Sequence, residues 1–256
     1  IITLYSANYC RKHDLPMINT YSVDYVDNDK NFQKTDFQPN SDSDYINLIT
    51  NKLGTKHHTI YLDTPELADS LKEAMIARDL PGMADVDSSL LLFCKAVKKE
   101  ATVSIMGECA DEIFGGYPWF FREDALSSGT FPWSINISGR QHLLNLELQE
   151  KIDLKEYIDY RYNESLNEVE LLNVDSKETK EKRKITYLTM NWFMQTLLSR
   201  TDRMGMYNGF EIRVPFCDYR LAEYVWNIPW EIKALHGREK GLLRYIMKDE
   251  LPKEIV

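Results

Sequence analysis

Apolar and polar positions change period repeatedly over the first 120 residues, short β-rich runs alternating with amphipathic stretches. The opening "IITLYSANYCRKH" patterns as a helix already under way, with no cap before it. "PMINTYSVDY" predicts a strand ending at Asp24, and the polar stretch from Asp27 to Asn40 predicts a mobile loop. In "SDSDYINLITNKLG", Ser41 or Asp42 gives a helix start and Gly54 a stop. Tyr45, Ile46, Leu48, Ile49 and Leu53 are the apolar positions between. "KHHTIYL" predicts the next strand. "TPELADSLKEAMIARD" predicts a helix capped by Thr64 with Pro65 in its first turn. "SSLLLFCKAVKKE" predicts another, its lysines gathered at the C-terminal end where the helix dipole favours cations. "ATVSIM" predicts a further, buried strand. Alternation of this kind implies a parallel sheet with helices on both faces.

Beyond about Phe121 the pattern changes. "RQHLLNLELQEKIDLKEYIDYRYNESL" and "SKETKEKRKITYLTMNWFMQTLLSR" predict long helices, and no convincing strand follows. The expected organisation is an α/β portion over 1–120 and a helical portion over 121–256, packed together as one domain. No internal repeat or low-complexity segment is visible.

Composition narrows the classes. An apolar fraction of 43% suits a folded globular chain. With 31 Lys and Arg against 40 Asp and Glu, the net charge of −9 leaves no dominant basic face, which argues against a nucleic-acid binder. A nucleotide ligand stays compatible, because a divalent cation bridges acids to phosphates. Cys10, Cys94, Cys109 and Cys217 lack paired spacing, so neither zinc nor a disulfide framework is expected. No apolar run reaches the ~18 residues of a membrane span and no signal peptide is visible. A cytoplasmic setting is the expectation.

Chemistry concentrates in "SIMGECADEIFGGYPWF". An apolar run ends at Gly107, which would let the backbone turn sharply near a ligand. Glu108, Asp111 and Glu112 follow at a helix start, then Gly115 and Gly116. One such acid merely suits the helix dipole. Three between glycines, where a parallel sheet binds ligands, point to metal or catalytic work. "YSVDY" places Ser22, Val23 and Asp24 at or just past a second strand end. "SRTDRMGMYNGFEIRVPFCDYRL" holds Asp202, Arg203, Glu211, Arg213 and Asp218 among apolar residues. This reads either as a buried salt-bridge network or, at Arg203, as a phosphate or substrate contact. Lys240 and Arg244 lie near a helix start, where a cation suggests an anionic neighbour. His57 and His58 read as ordinary strand residues, and Trp119, Phe120 and Phe121 as packing.

These stretches resemble the synthetase domain of the glutamine-dependent asparagine synthetases. "MGECADEIFGGY" is similar to the family's S-G-E-G-(A/S)-D-E-(L/I/V)-F-G-G-Y. "DRMGMYNGFEIRVPFCDYRL" and "REKGLLRYIMKDELPKEI" are similar to two further family segments, in the same order. In the last, Lys240 takes the place of the lysine in K-x-x-L-R. "INLITNKLGTKHH" fits the family's L-G-x-x-H-H. The resemblance implies an α/β fold whose parallel sheet is of the adenine-nucleotide α-hydrolase-like (ATP pyrophosphatase) type, with a helical C-terminal half. It implies ATP and Mg²⁺, and joining of aspartate to AMP with release of pyrophosphate before ammonia attacks the acyl carbon. Residue by residue, Val23 beside Ser22 matches a position whose backbone meets adenine, and Met106 and Gly107 match a Ser-Gly pair beside the nucleotide. Glu108 matches the acid that forms and uses the acyl-adenylate, and Asp111 the magnesium-linked acid. Arg203 and Lys240 complete the implied set, as catalytic and nucleotide contacts. An N-terminal glutaminase domain is the implied partner, and a homodimer is left open.

Departures accompany the likeness. Met106 stands for serine and Cys109 for glycine. The family's phosphate loop, S-G-G-x-D-S-S, would immediately precede a helix like the one at Ile1, so both ends read as cuts and the fragment is expected to be inactive alone. A β-lactam synthetase-like enzyme adenylating another acid, or a scaffold that has lost activity, are the alternative readings.

Overall fold

The computed structural model describes residues 1–35 and 40–256. In chain order the first elements are α1 (Ile2–Lys12), β1 (Asn19–Tyr25), α2 (Asn28–Asn31), α3 (Ser43–Leu53), β2 (Lys56–Leu62), α4 (Thr64–Arg78), α5 (Asp85–Val97) and β3 (Val103–Ile105). Then follow α6 (Ala110–Phe114), α7 (Glu123–Leu126), α8 (Ser138–Gln141), α9 (Leu146–Lys151), α10 (Leu154–Asn167) and α11 (Lys177–Leu188). A π-helical segment, Thr189–Met194, precedes α12 (Gln195–Tyr207). The remainder is β4 (Glu211–Arg213), α13 (Tyr219–Trp226), α14 (Trp230–Lys233) and α15 (Gly241–Met247). The protein is thus mixed α/β, rich in helix, with small parallel sheets.

Local chemistry sets most boundaries. Gly54 ends α3 in the left-handed region (φ 64°), a conformation that costs glycine little. At α4 the cap is Asp63 instead of Thr64. Its carboxylate accepts the Glu66 N–H at 2.8 Å from an extended backbone, drawing Thr64 inside the helix. The long helix expected from residue 140 is broken twice, because Asn145 and Asp153 each accept an N–H three residues on (2.8 and 2.9 Å) and start new helices. The loop expected from Asp27 contains the one-turn helix α2; its part at residues 36–39 lies outside the described residues.

Two compact units emerge. One comprises Ile1–Cys109, Thr196–Ala222 and Leu243–Val256, the other Ala110–Gln195 and Glu223–Leu242. In the first, β1 pairs in parallel with β2, Val23 opposite Ile60. β3 pairs in parallel with β4, Ser104 opposite Ile212. The described residues form two two-stranded ladders where a single covered sheet was expected. β4 also corrects the expectation that no strand follows Phe121: three residues are too few to display a period of two. β3 is not buried, since Val103 and Ile105 are exposed. One core of this unit is Leu91, Cys94, Val97, Met204 and Phe210, with Tyr21, Ile60 and Ile212 packed on it, and a second gathers Leu4, Ala7, Leu53, Met247 and Leu251.

The second unit closes around Trp119, Phe120, Phe131, Ile185 and Leu188. The Trp119 indole N–H donates to the Thr189 hydroxyl at 3.3 Å, which lets a polar atom be buried without penalty. Trp119 and Phe120 act as packing; Phe121 stays partly exposed. Among the described residues no helix is long and apolar enough to cross a membrane.

Candidate active site

The chain leaves the carboxyl end of β3 through Met106, whose N–H donates to the Arg213 carbonyl at 2.9 Å and extends the ladder by one bond. Gly107 follows with an ordinary φ, and a side chain there would meet open space. The sharp turn expected at Gly107 is made at Cys109, which is buried and adopts φ 75°. That conformation costs a residue bearing a Cβ about 1–2 kcal/mol. Cys109→Gly is therefore expected to change stability by under about 1 kcal/mol, strain relief offsetting lost burial. Cys109→Val, β-branched at the same φ, is expected to cost about 2 kcal/mol or more. Urea unfolding of the two variants checks the difference.

Glu108 is fixed from α12. The Thr201 hydroxyl lies 2.7 and 2.9 Å from the two carboxylate oxygens, so its single proton can be donated to either. Arg200 adds a guanidinium 3.5 Å from one of them, both side chains mostly buried. This places a held, charge-compensated carboxylate just beyond the end of a parallel strand, where open sheets bind ligands. Its charge also reaches Cys94: burial, reinforced by Glu108, pushes that thiol up to about 12, which keeps it neutral and inert. Arg203, one turn from Arg200, pairs with Asp79 at 2.5 Å and is half-exposed. Its bond partner is therefore Asp79, while Glu108 takes Arg200.

Ser22 and Val23 lie inside β1, two or more residues before its end at Tyr25, where a place at or just past the strand end was expected. They line a polar hollow of about 150 Å³ together with Asp24, Tyr25, Asn28 and Asn47. The Ser22 hydroxyl is 3.1 Å from His57 Nε2, and Thr20 Oγ1 is 3.0 Å from His57 Nδ1. Burial, with a contribution from His58, holds the His57 imidazole below its usual range, so the neutral ring donates on one side and accepts on the other. His58 stacks on Tyr21 at 5.0 Å between centroids. Both histidines tie strand to strand, in keeping with their reading as structural.

In the second unit the remaining acids separate by role. Glu112 is buried and accepts the Tyr117 hydroxyl at 2.8 Å. Asp111 pairs with Lys240 at 2.7 Å, each about one-third exposed. Lys240 is held at φ 52°, a further strained non-glycine residue. Gly116 closes over Asp111: its N–H donates to the Asp111 carbonyl at 2.8 Å, and a Cβ there would fall 1.7 Å from the carboxylate. The anion anticipated beside Lys240 is thus a side chain of this same stretch. Asp111 suits Mg²⁺ as one carboxylate among phosphate and water ligands, an ion that rarely needs a full protein cage. Among the described residues no group of three His, Cys, Asp or Glu is arranged to hold a metal by itself.

The reading of residues 202–218 as a buried ionic network is overturned. Arg213 pairs with Glu211 at 2.7 Å and Arg220 with Asp218 at 2.6 Å, each two residues apart and none of the four buried. Hydrogen bonding from Arg220 holds the Asp218 carboxyl down at about 2.

The profile of the asparagine synthase family matches residues 4–256, essentially the whole chain. The chain belongs to the asparagine synthase family. It is 49% identical over 255 residues to asparagine synthetase (glutamine-hydrolyzing) 3 of Bacillus subtilis, covering 100% of this chain and 41% of that protein. It is 24% identical over 273 residues to asparagine synthetase (glutamine-hydrolyzing) 1 of the same organism, covering 94% of this chain and again 41% of the relative. The rat asparagine synthetase (glutamine-hydrolyzing) is 25% identical over 215 residues, covering 81% of this chain and 29% of that protein. The chain therefore spans well under half the length of these curated relatives. Both units fall inside the asparagine synthase match, Glu108 in the first and Asp111 with Lys240 in the second. Pattern reading missed Arg200 and Thr201, which secure Glu108. The sequence shows only a threonine beside an arginine in "SRTDR", too slight a signal to single them out.

Proposed function

We propose that this chain is the synthetase portion of an asparagine synthetase, forming an amide through an acyl-adenylate. ATP and aspartate give β-aspartyl-AMP and pyrophosphate, and ammonia then displaces AMP from the acyl carbon. Adenylation is needed because a free carboxylate is a poor electrophile and AMP turns one of its oxygens into a leaving group. The fold in this reading is of the adenine-nucleotide α-hydrolase type. The ammonia comes from glutamine, hydrolysed by a further domain of the longer protein in the cytoplasm.

Family membership and the fixing of Glu108 beyond β3 by Thr201 and Arg200 together support the reading. Glu108 acts on the acyl-adenylate, positioned by Thr201. Ser22 and Val23 border the polar hollow assigned to adenine, and the backbone of Met106 and Gly107 lies along the nucleotide. The open space at Gly107 admits that approach. Lys240 exchanges its carboxylate partner for a phosphate, which frees Asp111 as an oxygen ligand. Bound there, Mg²⁺ would offset triphosphate charge as the substrate carboxylate approaches. Arg203, half-exposed, supplies a second cation for anionic substrate.

Aspartate-dependent exchange of radiolabelled pyrophosphate into ATP by the full-length protein tests this. Exchange with aspartate alone among the carboxylic acids offered is the expected result. Exchange with another acid would instead favour the β-lactam synthetase-like reading, and none with any acid would overturn the adenylation chemistry.

A further inference from the structure

Three cations converge on a small hollow in the second unit that has no part in the chemistry above. It measures about 30 Å³ and is lined by Lys182, Arg183 and Lys233 with Thr179, Trp226 and Trp230. Lys182 is compensated: its ammonium donates to the Phe120 carbonyl at 2.5 Å and lies 4.8 Å from the Trp230 ring centre. Arg183 is half-compensated. Its Nε donates to Asp175 at 2.9 Å and its guanidinium lies 5.6 Å from the Trp226 ring, leaving the other N–H groups without an acceptor among the described residues. Lys233 is only 5% exposed, and among the described residues its ammonium has neither a hydrogen-bond acceptor nor an ion-pair partner.

An ammonium with little access to water and no protein acceptor is costly, and a neighbouring guanidinium makes it more so. Burial and the charge of Arg183 push Lys233 down to about 8, which leaves it protonated at neutral pH. The nearby carboxylates are Asp175, spent on Arg183, and Glu178, whose charge acts on Lys182. The hollow therefore keeps a positive excess facing a space of about two water molecules.

We propose that this hollow binds one small inorganic oxyanion, between the Lys233 ammonium and the free N–H groups of Arg183. A guanidinium fork matches paired oxygens, an ammonium serves as a point charge, and the Thr179 hydroxyl lies at the rim. The space is too small for a nucleotide. The anion would brace α11 against α14, the two helices that carry these cations.

Thermal unfolding in sodium phosphate, against sodium chloride at equal ionic strength, tests the site. Phosphate at tenfold its dissociation constant is expected to raise the midpoint of the unsubstituted protein by about 4 °C more than chloride does. Lys233→Met is expected to abolish that difference. Lys240→Met is expected to keep it, which separates this hollow from the nucleotide site proposed above. Crystals of the unsubstituted protein grown in phosphate should show tetrahedral density within hydrogen-bonding reach of Lys233 Nζ and Arg183. An equal phosphate response in Lys233→Met, or no response in the unsubstituted protein, would overturn the proposal. Density in the hollow without any midpoint response would mark an adventitious ion only, and would overturn it too.

Discussion

Glu108→Gln is expected to lower aspartate-dependent pyrophosphate exchange by about 10²–10³-fold in the full-length protein. Glutamine keeps the shape and one acceptor for the Thr201 hydroxyl but removes the charge that faces Arg200. Leaving that arginine uncompensated costs about 1–3 kcal/mol of stability, too little to unfold the protein and so to account for such a loss of rate. Thr201→Val supplies the independent check. It removes the hydroxyl that lies against both oxygens while preserving volume, and should cost about tenfold in kcat with little change in KM for ATP. Thr201→Ser should restore most of it. Full exchange activity in Glu108→Gln would make this carboxylate structural and would favour the scaffold reading.

How far the fold was legible depended on how far each determinant reached along the chain. The strand and helix order through β3, the one-turn α2 apart, could be read directly, because its signals are local: Gly54 past α3, Pro65 early in α4, lysines closing α5. β4 could not, since Glu211–Arg213 is a strand only by virtue of pairing with β3 across more than 100 residues of sequence. The breaks at Asn145 and Asp153 were local and readable, but a sustained apolar pattern outweighed two polar caps. The three acids after Gly107 are a visible cluster in the sequence, while the partners of each are not. Thr201 and Arg200 approach Glu108 from more than 90 residues away, Lys240 approaches Asp111 from further still, and Glu112 turns inward to Tyr117. In sequence Cys109 shows only as a departure from the family's glycine. It retains the backbone that glycine would favour, now at a cost in strain.

Gly241→Ala should be among the most destabilising single-methyl substitutions in the second unit, at about 3 kcal/mol. A Cβ at this position would lie 2.4 Å from both the N and the O of Leu235 and 3.0 Å from the Ala234 carbonyl carbon. These are backbone atoms, so no rotamer change relieves the clash and the turn from Leu235 to Gly241 must open. Gly237, in the same turn, provides the contrast. It has φ 68°, and a Cβ there would have nothing within 4 Å, so alanine meets conformational strain alone, about 1 kcal/mol. Urea unfolding of both variants separates lack of space from lack of a suitable dihedral, and equal losses would refute the argument. The site should register the same difference. Lys240 immediately precedes Gly241 and holds Asp111 from a left-handed backbone, so opening the turn withdraws its ammonium. Gly241→Ala should therefore raise KM for ATP in the full-length protein, whereas Gly237→Ala should leave it near the unsubstituted value.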